Sequence, residues 1–212
     1  MSDLKLTRIV AIGASAGGLD AFQRLIKNLP ADTGMAFILL SHILRDSKSL
    51  LPEILSRSTA MPVIVVTDHL KPLANHIYVL PPDKLMEIRN GFLRLSPRPL
   101  NVANNAIDHF LFSLAADDIY GSVGIVLSGE GSDGAEGIKT LKEESGGHTM
   151  AQEPASAASQ SMPINAIQID HVDDILTPED IARKLASMAW CDSNVKKKPL
   201  KVFWIKGRLA QA

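Results

Sequence analysis

The chain has 212 residues, 46% of them hydrophobic and 21% charged, with a formal net charge of -1. That suffices for one domain with a large core and is too evenly charged for a surface built around a polyanion. A single cysteine, Cys191, excludes an intrachain disulfide or a cysteine metal site and fits a cytoplasmic setting. No apolar run is long enough to span a bilayer, and the N-terminus, with acidic Asp3 and a short apolar stretch after Arg8, is a poor signal peptide.

The apolar run Ile9 to Ile12 predicts a buried parallel strand over Arg8 to Gly13. Gly13-Ala14-Ser15-Ala16-Gly17 follows, matching G-x-S-x-G, the pattern that sets a serine on a sharp strand-to-helix turn. Leu19, Phe22, Ile26 and Leu29 recur at helical spacing, so a helix is expected from Gly17 to Asn28. Such a turn suits a nucleophile beside oxyanion-holding N–H groups. It also suits a phosphate loop or a purely structural turn. The dinucleotide fingerprint G-x-G-x-x-G is broken at Ser15, where backbone must approach pyrophosphate.

Met35 to Ser41 predicts a second buried strand, Ser47 to Ser58 a helix and Met61 to Val66 a third strand. This alternation predicts a doubly wound, mostly parallel α/β sheet in a single domain. His76 to Leu80, Lys84 to Arg89 and Phe92 to Ser96 read as an antiparallel insertion, with Asn90-Gly91 as a hairpin turn. A helix is expected over Asn105 to Asp118, a strand over Ser122 to Ser128, a helix over Gly134 to Glu144 and a strand over His148 to Gln152. A short helix over Met162 to Ile167 and one beginning at Thr177-Pro178-Glu179-Asp180, running to about Met188, complete the domain at residues 1–190. Residues 191–212 read as a tail or linker, with an edge strand expected at Leu200 to Ile205. The Lys196-Lys197-Lys198 cluster reads as a solvated run, not a nucleic-acid or membrane site.

A serine nucleophile needs a base, and the base an orienting carboxylate. Functional groups of an open α/β sheet gather at the carboxyl ends of its strands. Of six histidines, His42 directly follows a predicted strand. His69 and His76 flank the hairpin region, His109 lies on a helix, His148 starts a strand and His171 starts a short late segment. The Ser122 to Ser128 strand runs into Gly129-Glu130-Gly131-Ser132-Asp133-Gly134. Asp133 is the candidate acid there, with an ordinary helix cap as its other reading, and Glu130 is a competing carboxylate. The order Ser15, His42, Asp133 is not that of α/β-hydrolases, where histidine comes last.

Here the chain resembles the catalytic domain of the CheB-type protein-glutamate methylesterases of bacterial chemotaxis. The matching segments are AIGASAGG at 11–18, SH at 41–42, PPDK at 81–84, LSGEGSDGAEG at 127–137, AQ at 151–152 and MPINAI at 162–167. LPADTGMAF and SLLPEIL most resemble forms fused to a methyltransferase domain. The resemblance implies Ser15 as nucleophile, His42 as base and Asp133 as orienting acid. It implies hydrolysis of glutamate methyl esters on the cytoplasmic domains of chemoreceptors, often with deamidation of receptor glutamines, and no metal or organic cofactor. A methyltransferase or receiver domain is a further expected partner; nucleic acid and membrane insertion are not. Ala16, Gly17, Glu130, Asn104 and Met162 are candidate oxyanion or substrate-binding positions.

The sequence also departs from the family's pattern. Glu130 stands where methionine or threonine is usual, Asn104 to Ala106 replace a basic residue and a proline that often precede the aspartate matching Asp108, and Ser161 replaces a glycine. No receiver domain precedes residue 1, so a stand-alone form, a piece of a longer protein or other control is expected. The rival readings are a catalytically weak methylesterase-like module that binds receptors or signalling proteins, and a nucleotide-binding α/β domain.

Overall fold

The structure, a computed structural model, describes residues 5–42, 50–99 and 103–194. The chain runs through β1 (Arg8–Ala14), α1 (Gly18–Lys27), β2 (Met35–Ser41), α2 (Leu51–Ser56), β3 (Val63–Val65), β4 (His76–Val79), β5 (Lys84–Arg89) and β6 (Phe92–Pro97). It continues through α3 (Ala106–Ala116), β7 (Gly121–Val126), α4 (Ala135–Ser145), β8 (His148–Gln152), a 3-10 turn (Pro154–Ser156), α5 (Ser161–Gln168), β9 (Asp174–Leu176) and α6 (Pro178–Asn194). Among the described residues, seven strands form one parallel sheet in the order β3-β4-β2-β1-β7-β8-β9. β5 and β6 form a separate antiparallel pair. The strand order reverses at β1, which lies between β2 and β7. That reversal opens a crevice at the carboxyl ends of the three strands.

Strand residues alternate between two cores, because successive side chains leave a strand on opposite faces. Val10, Ile12, Phe37 and Leu39 pack with Phe22 and Leu25 of α1 and Ile181 and Leu185 of α6. Ile9, Ala11, Ile38 and Leu40 share the other core with Phe110 and Leu114 of α3, Ile138 and Leu141 of α4, and Met86 and Leu93 of the hairpin. Burial on both faces explains why β1 and β2 read as unbroken apolar runs. The hairpin is tied to α3 by Ile88 N–H donating to Ser113 Oγ at 3.0 Å, and its turn by Gly91 N–H donating to Asp117 Oδ2 at 2.9 Å. Asn90 and Gly91 both have positive φ, as a primed hairpin turn requires.

Four sequence expectations are corrected. His76–Val79 is a parallel strand inside the main sheet, between β2 and β3, not part of the antiparallel insertion. Leu50, expected inside a helix, is the N-cap of α2, which fits Pro52 in a first helical turn and not in an interior; residues 47–49 of the expected helix lie outside the described residues. α6 continues to Asn194, past the expected end at Met188, with no glycine or proline to stop it before Pro199. β9 is an additional edge strand. The strand expected at Leu200 to Ile205 lies outside the described residues. No helix among the described residues is long and apolar enough to cross a membrane.

Candidate active site

Ser15 is the first residue after β1, and α1 begins three residues later. Its N–H donates to the Ser128 carbonyl at 2.9 Å, and its carbonyl accepts from Gly18 N–H at 2.9 Å. Gly17 caps α1 in the left-handed region, φ 73°. A Cβ at Gly17 would lie 2.6 Å from Ala158 Cβ and 2.8 Å from Ser128 Oγ, so both conformation and space select glycine. Ser128, just past the end of β7, is almost fully buried and stitches the site together. Its Oγ donates to the Ala16 carbonyl at 2.8 Å and accepts from Ser159 N–H at 3.0 Å. Its N–H donates to Gln152 Oε1 at 2.9 Å. Farther out, Arg24 of α1 makes two hydrogen bonds to Glu179 of α6, at 2.7 and 2.9 Å, and fixes α1 against α6.

His42 follows β2 directly, and its Nε2 lies 2.7 Å from Asp133 Oδ2. Asp133 has only 8% of its side chain exposed and accepts two further hydrogen bonds, from Ile107 N–H at 3.0 Å and Asp108 N–H at 2.9 Å. Three donors fix the carboxylate's orientation. Asp133 therefore meets the N-terminus of α3, not of α4, the helix it precedes. With Nε2 donating to Asp133, Nδ1 is the nitrogen left to accept a proton. Serine proteases of the chymotrypsin type use the two nitrogens the other way round.

The segment 129–131 runs against the start of α5. Gly129 N–H donates to the Ser159 carbonyl at 3.0 Å, and its carbonyl accepts from Met162 N–H at 3.0 Å. Gly131 N–H donates to Ser161 Oγ at 2.9 Å, and its carbonyl accepts from Asn165 Nδ2 at 2.8 Å. Ser161 thus supplies a clamp that a glycine there could not. Among the described residues, the N–H groups of Ala16, Gly17 and Glu130 have no protein partner, and all three residues are exposed. These N–H groups are free to meet a developing oxyanion. Gly129 fits only because it lacks a side chain: a Cβ there would lie 2.0 Å from Met162 Sδ and 3.0 Å from Ser15 Cβ.

The site gathers Ser15, Ala16, Gly17, His42, Glu130 and Asp133 at the carboxyl ends of β1, β2 and β7. Met162 is buried under the 129–131 segment, where it packs against Gly129. Asn104 precedes α3, with its Oδ1 buried and without a hydrogen-bond partner among the described residues. The side chains of four other histidines are committed elsewhere: His69 stacks on Phe92, His76 Nδ1 bonds the Ala74 carbonyl at 2.8 Å, His148 Nε2 bonds Asp174 at 2.6 Å, and His171 Nδ1 bonds the Ile169 carbonyl. Sequence reasoning missed three supports. Gln152 ends β8 and Ser128 follows β7 closely at the same sheet edge, a signal that was available. Asp108 lies inside a helix; the resemblance matches it to an aspartate of the family, but its spacing does not point to a support. Burial pushes the Asp108 carboxyl up to about 6, with the Gly137 N–H opposing the rise and the charge of Asp133 adding to it.

Comparison with known proteins places the family and the fold. Residues 10–185 match the CheB methylesterase family model. The chain is 36% identical over 183 residues to protein-glutamate methylesterase/protein-glutamine glutaminase 3 of Pseudomonas aeruginosa, covering 85% of this chain and 54% of that protein. It is 34% identical over 179 residues to the corresponding protein of the group 3 operon of Pseudomonas putida, covering 84% and 53%. The chain thus spans about half the length of these curated relatives. The crystal structure of the Thermotoga maritima CheB methylesterase catalytic domain superimposes with a TM-score of 0.76 at 25% identity, covering 86% of this chain and 98% of that one. The chain belongs to the CheB methylesterase family.

Proposed function

We propose that this chain is a serine hydrolase that removes methyl esters from glutamate side chains of chemoreceptor cytoplasmic domains and deamidates receptor glutamines. The observation that carries this reading is the 2.7 Å contact of His42 with Asp133 at the sheet edge that also bears Ser15. The names of the relatives supply the substrate class: protein-glutamate methylesterase and protein-glutamine glutaminase. A cytoplasmic location follows from that substrate.

In this mechanism Ser15 Oγ attacks the ester carbonyl while His42 Nδ1 takes its proton. Asp133 holds the Nε2–H tautomer and stabilises the imidazolium. The N–H groups of Ala16, Gly17 and Glu130 receive the charge that grows on the carbonyl oxygen. The tetrahedral adduct collapses, the ester C–O bond breaks, and His42 returns the proton to methanol. Water then adds to the acyl-serine with His42 again as base, and the C–O bond to Ser15 breaks to give the glutamate carboxylate. With a glutamine substrate the first leaving group is ammonia.

The test is methanol release from methylated chemoreceptor membranes by the chain and by Ser15→Ala. The expected result is release that disappears in the variant while its circular dichroism is unchanged. Equal release by both would remove Ser15 from the mechanism. Release by neither, with both folded, would overturn the hydrolase in favour of a receptor-binding module.

A further inference from the structure

We propose that Asp108 is a positioning residue for this reaction: it holds the segment carrying Asp133, and through Asp133 the imidazole of His42. The proposal rests on the hydrolase reading above.

Helices α3 and α4 begin beside one another, and neither is capped by its own N-cap side chain. Each leaves N–H groups that must find acceptors. The two helices exchange them. Asp133, just before α4, accepts from Ile107 and Asp108 in the first turn of α3. Asp108 Oδ1, on α3, accepts from Gly134 N–H at 2.9 Å and Gly137 N–H at 2.7 Å, at the start of α4. Gly134 is the residue after Asp133, so Asp108 fixes the backbone from which the Asp133 carboxylate reaches His42. Neither carboxylate can move without releasing donors of the other helix.

The exchange also brings two carboxyl groups together in a half-buried site, and such pairs share protons as a unit. Burial and the neighbouring Asp133 keep Asp108 protonated up to about pH 6. The titratable groups around Asp108 are Asp133 on the segment before α4, His42 behind it at the end of β2, His109 beside it on α3, and the exposed Glu136 in the first turn of α4. Ionised Asp108 adds a second negative charge behind the imidazole and favours the imidazolium; neutral Asp108 does not. An asparagine at 108 keeps an oxygen for Gly134 and Gly137 and places an NH2 group where the shared proton sits. Asp108→Asn therefore imitates the neutral form permanently, whereas Asp108→Ala removes the cap.

The experiment follows the His42 ring resonances by NMR against pH in wild type, Asp108→Asn and Asp108→Ala, assigning them by their loss in His42→Gln. The kcat/KM of each protein on methylated receptor cytoplasmic fragments is measured over the same pH range. In Asp108→Asn the His42 midpoint and the acid limb of kcat/KM should move together to lower pH, by roughly one unit for the loss of one nearby charge. Asp108→Ala should lose kcat at every pH with KM little changed. An Asp108→Asn protein that superimposes on wild type in both readouts, while wild type hydrolyses the ester, overturns the proposal and leaves the hydrolase standing. A moved His42 midpoint with no hydrolysis by wild type keeps the coupling and overturns the hydrolase instead.

Discussion

His42 Nε2 and Asp133 Oδ2 meet at 2.7 Å although 91 positions separate them in the chain. The strands that deliver them, β2 and β7, are not neighbours; β1 runs between them and ends at Ser15's turn. The contact therefore bridges over the end of β1, and the reversal of strand order at β1 makes that possible. It also leaves Nδ1 as the nitrogen for the proposed base, since Nε2 is taken by Asp133.

Asp133→Asn should fail for a countable reason. Three N–H donors point at the Asp133 carboxylate, and an amide offers one oxygen. With NH2 toward His42, the imidazole must carry its proton on Nδ1, the tautomer that cannot accept from serine. With NH2 toward Asp108, a helix N–H loses its acceptor. The expected result is a fall in kcat on the order of 10⁴-fold. A stability loss of about 1–3 kcal/mol in urea melts should accompany it. Full activity in this variant would move the orienting acid elsewhere, with Glu130 the first alternative.

Glu130 separates backbone from side chain in one position. Its N–H is proposed to hold the oxyanion, while its exposed carboxylate would oppose charge there. Glu130→Met keeps the N–H and should raise kcat. Glu130→Pro deletes the N–H and should lower kcat on the order of 10²-fold with KM little changed. Steady-state kinetics on both variants, with melts to verify folding, decide the point. A Glu130→Pro enzyme with normal kcat would take this donor out of the mechanism.

Gly129→Ala places a methyl group 2.0 Å from Met162 Sδ and 3.0 Å from Ser15 Cβ. Overpacking of this kind costs about 1–3 kcal/mol. Met162→Ala opens space at the first contact but not the second. A double-mutant cycle should therefore show coupling of about 0.5–3 kcal/mol, with the pair less damaged than the sum of the singles. Activity should stay low in the double variant, because the methyl group still presses on Ser15. Additive losses, or restored turnover, would contradict this packing.

The elements most legible in the sequence are those whose signal is local. Met35–Ser41 and His148–Gln152 are short buried runs with clear edges, and Asn90-Gly91 carries its own hairpin geometry. Partnership is not local. His76–Val79 reads as a strand, but nothing in four residues says that its neighbours are β2 and β3. The site follows the same division. Ser15, His42 and Asp133 stand at strand ends, where a topological rule selects them. Ser128 and Gln152 share that strand-end signal, but the bond between them spans 24 residues and those of Asp108 to α4 span 26 and 29, which no spacing encodes.

Asp108 should also leave a mark on stability. Its folded-state pKa of about 6 lies above the ordinary 3.8, chiefly through burial. Between those two values the unfolded chain has released a proton that the folded protein keeps. Stability must therefore fall as pH rises through that window, and the cost persists above it. Glu179, held low by its hydrogen bonds from Arg24, acts in the opposite sense, gaining stability as pH rises. Comparing wild type with Asp108→Asn cancels groups remote from residue 108, such as Glu179, and leaves residue 108 with the Asp133 and His42 groups coupled to it. The variant's stability relative to wild type should rise from pH 4 to about 6.5 and then level off. After allowance for solvent screening, the rise should be on the order of 1 kcal/mol. Urea melts at half-unit pH steps measure it. A flat difference would mean that Asp108 titrates as it does in the unfolded chain, and a falling one that the N–H groups of α4 outweigh burial.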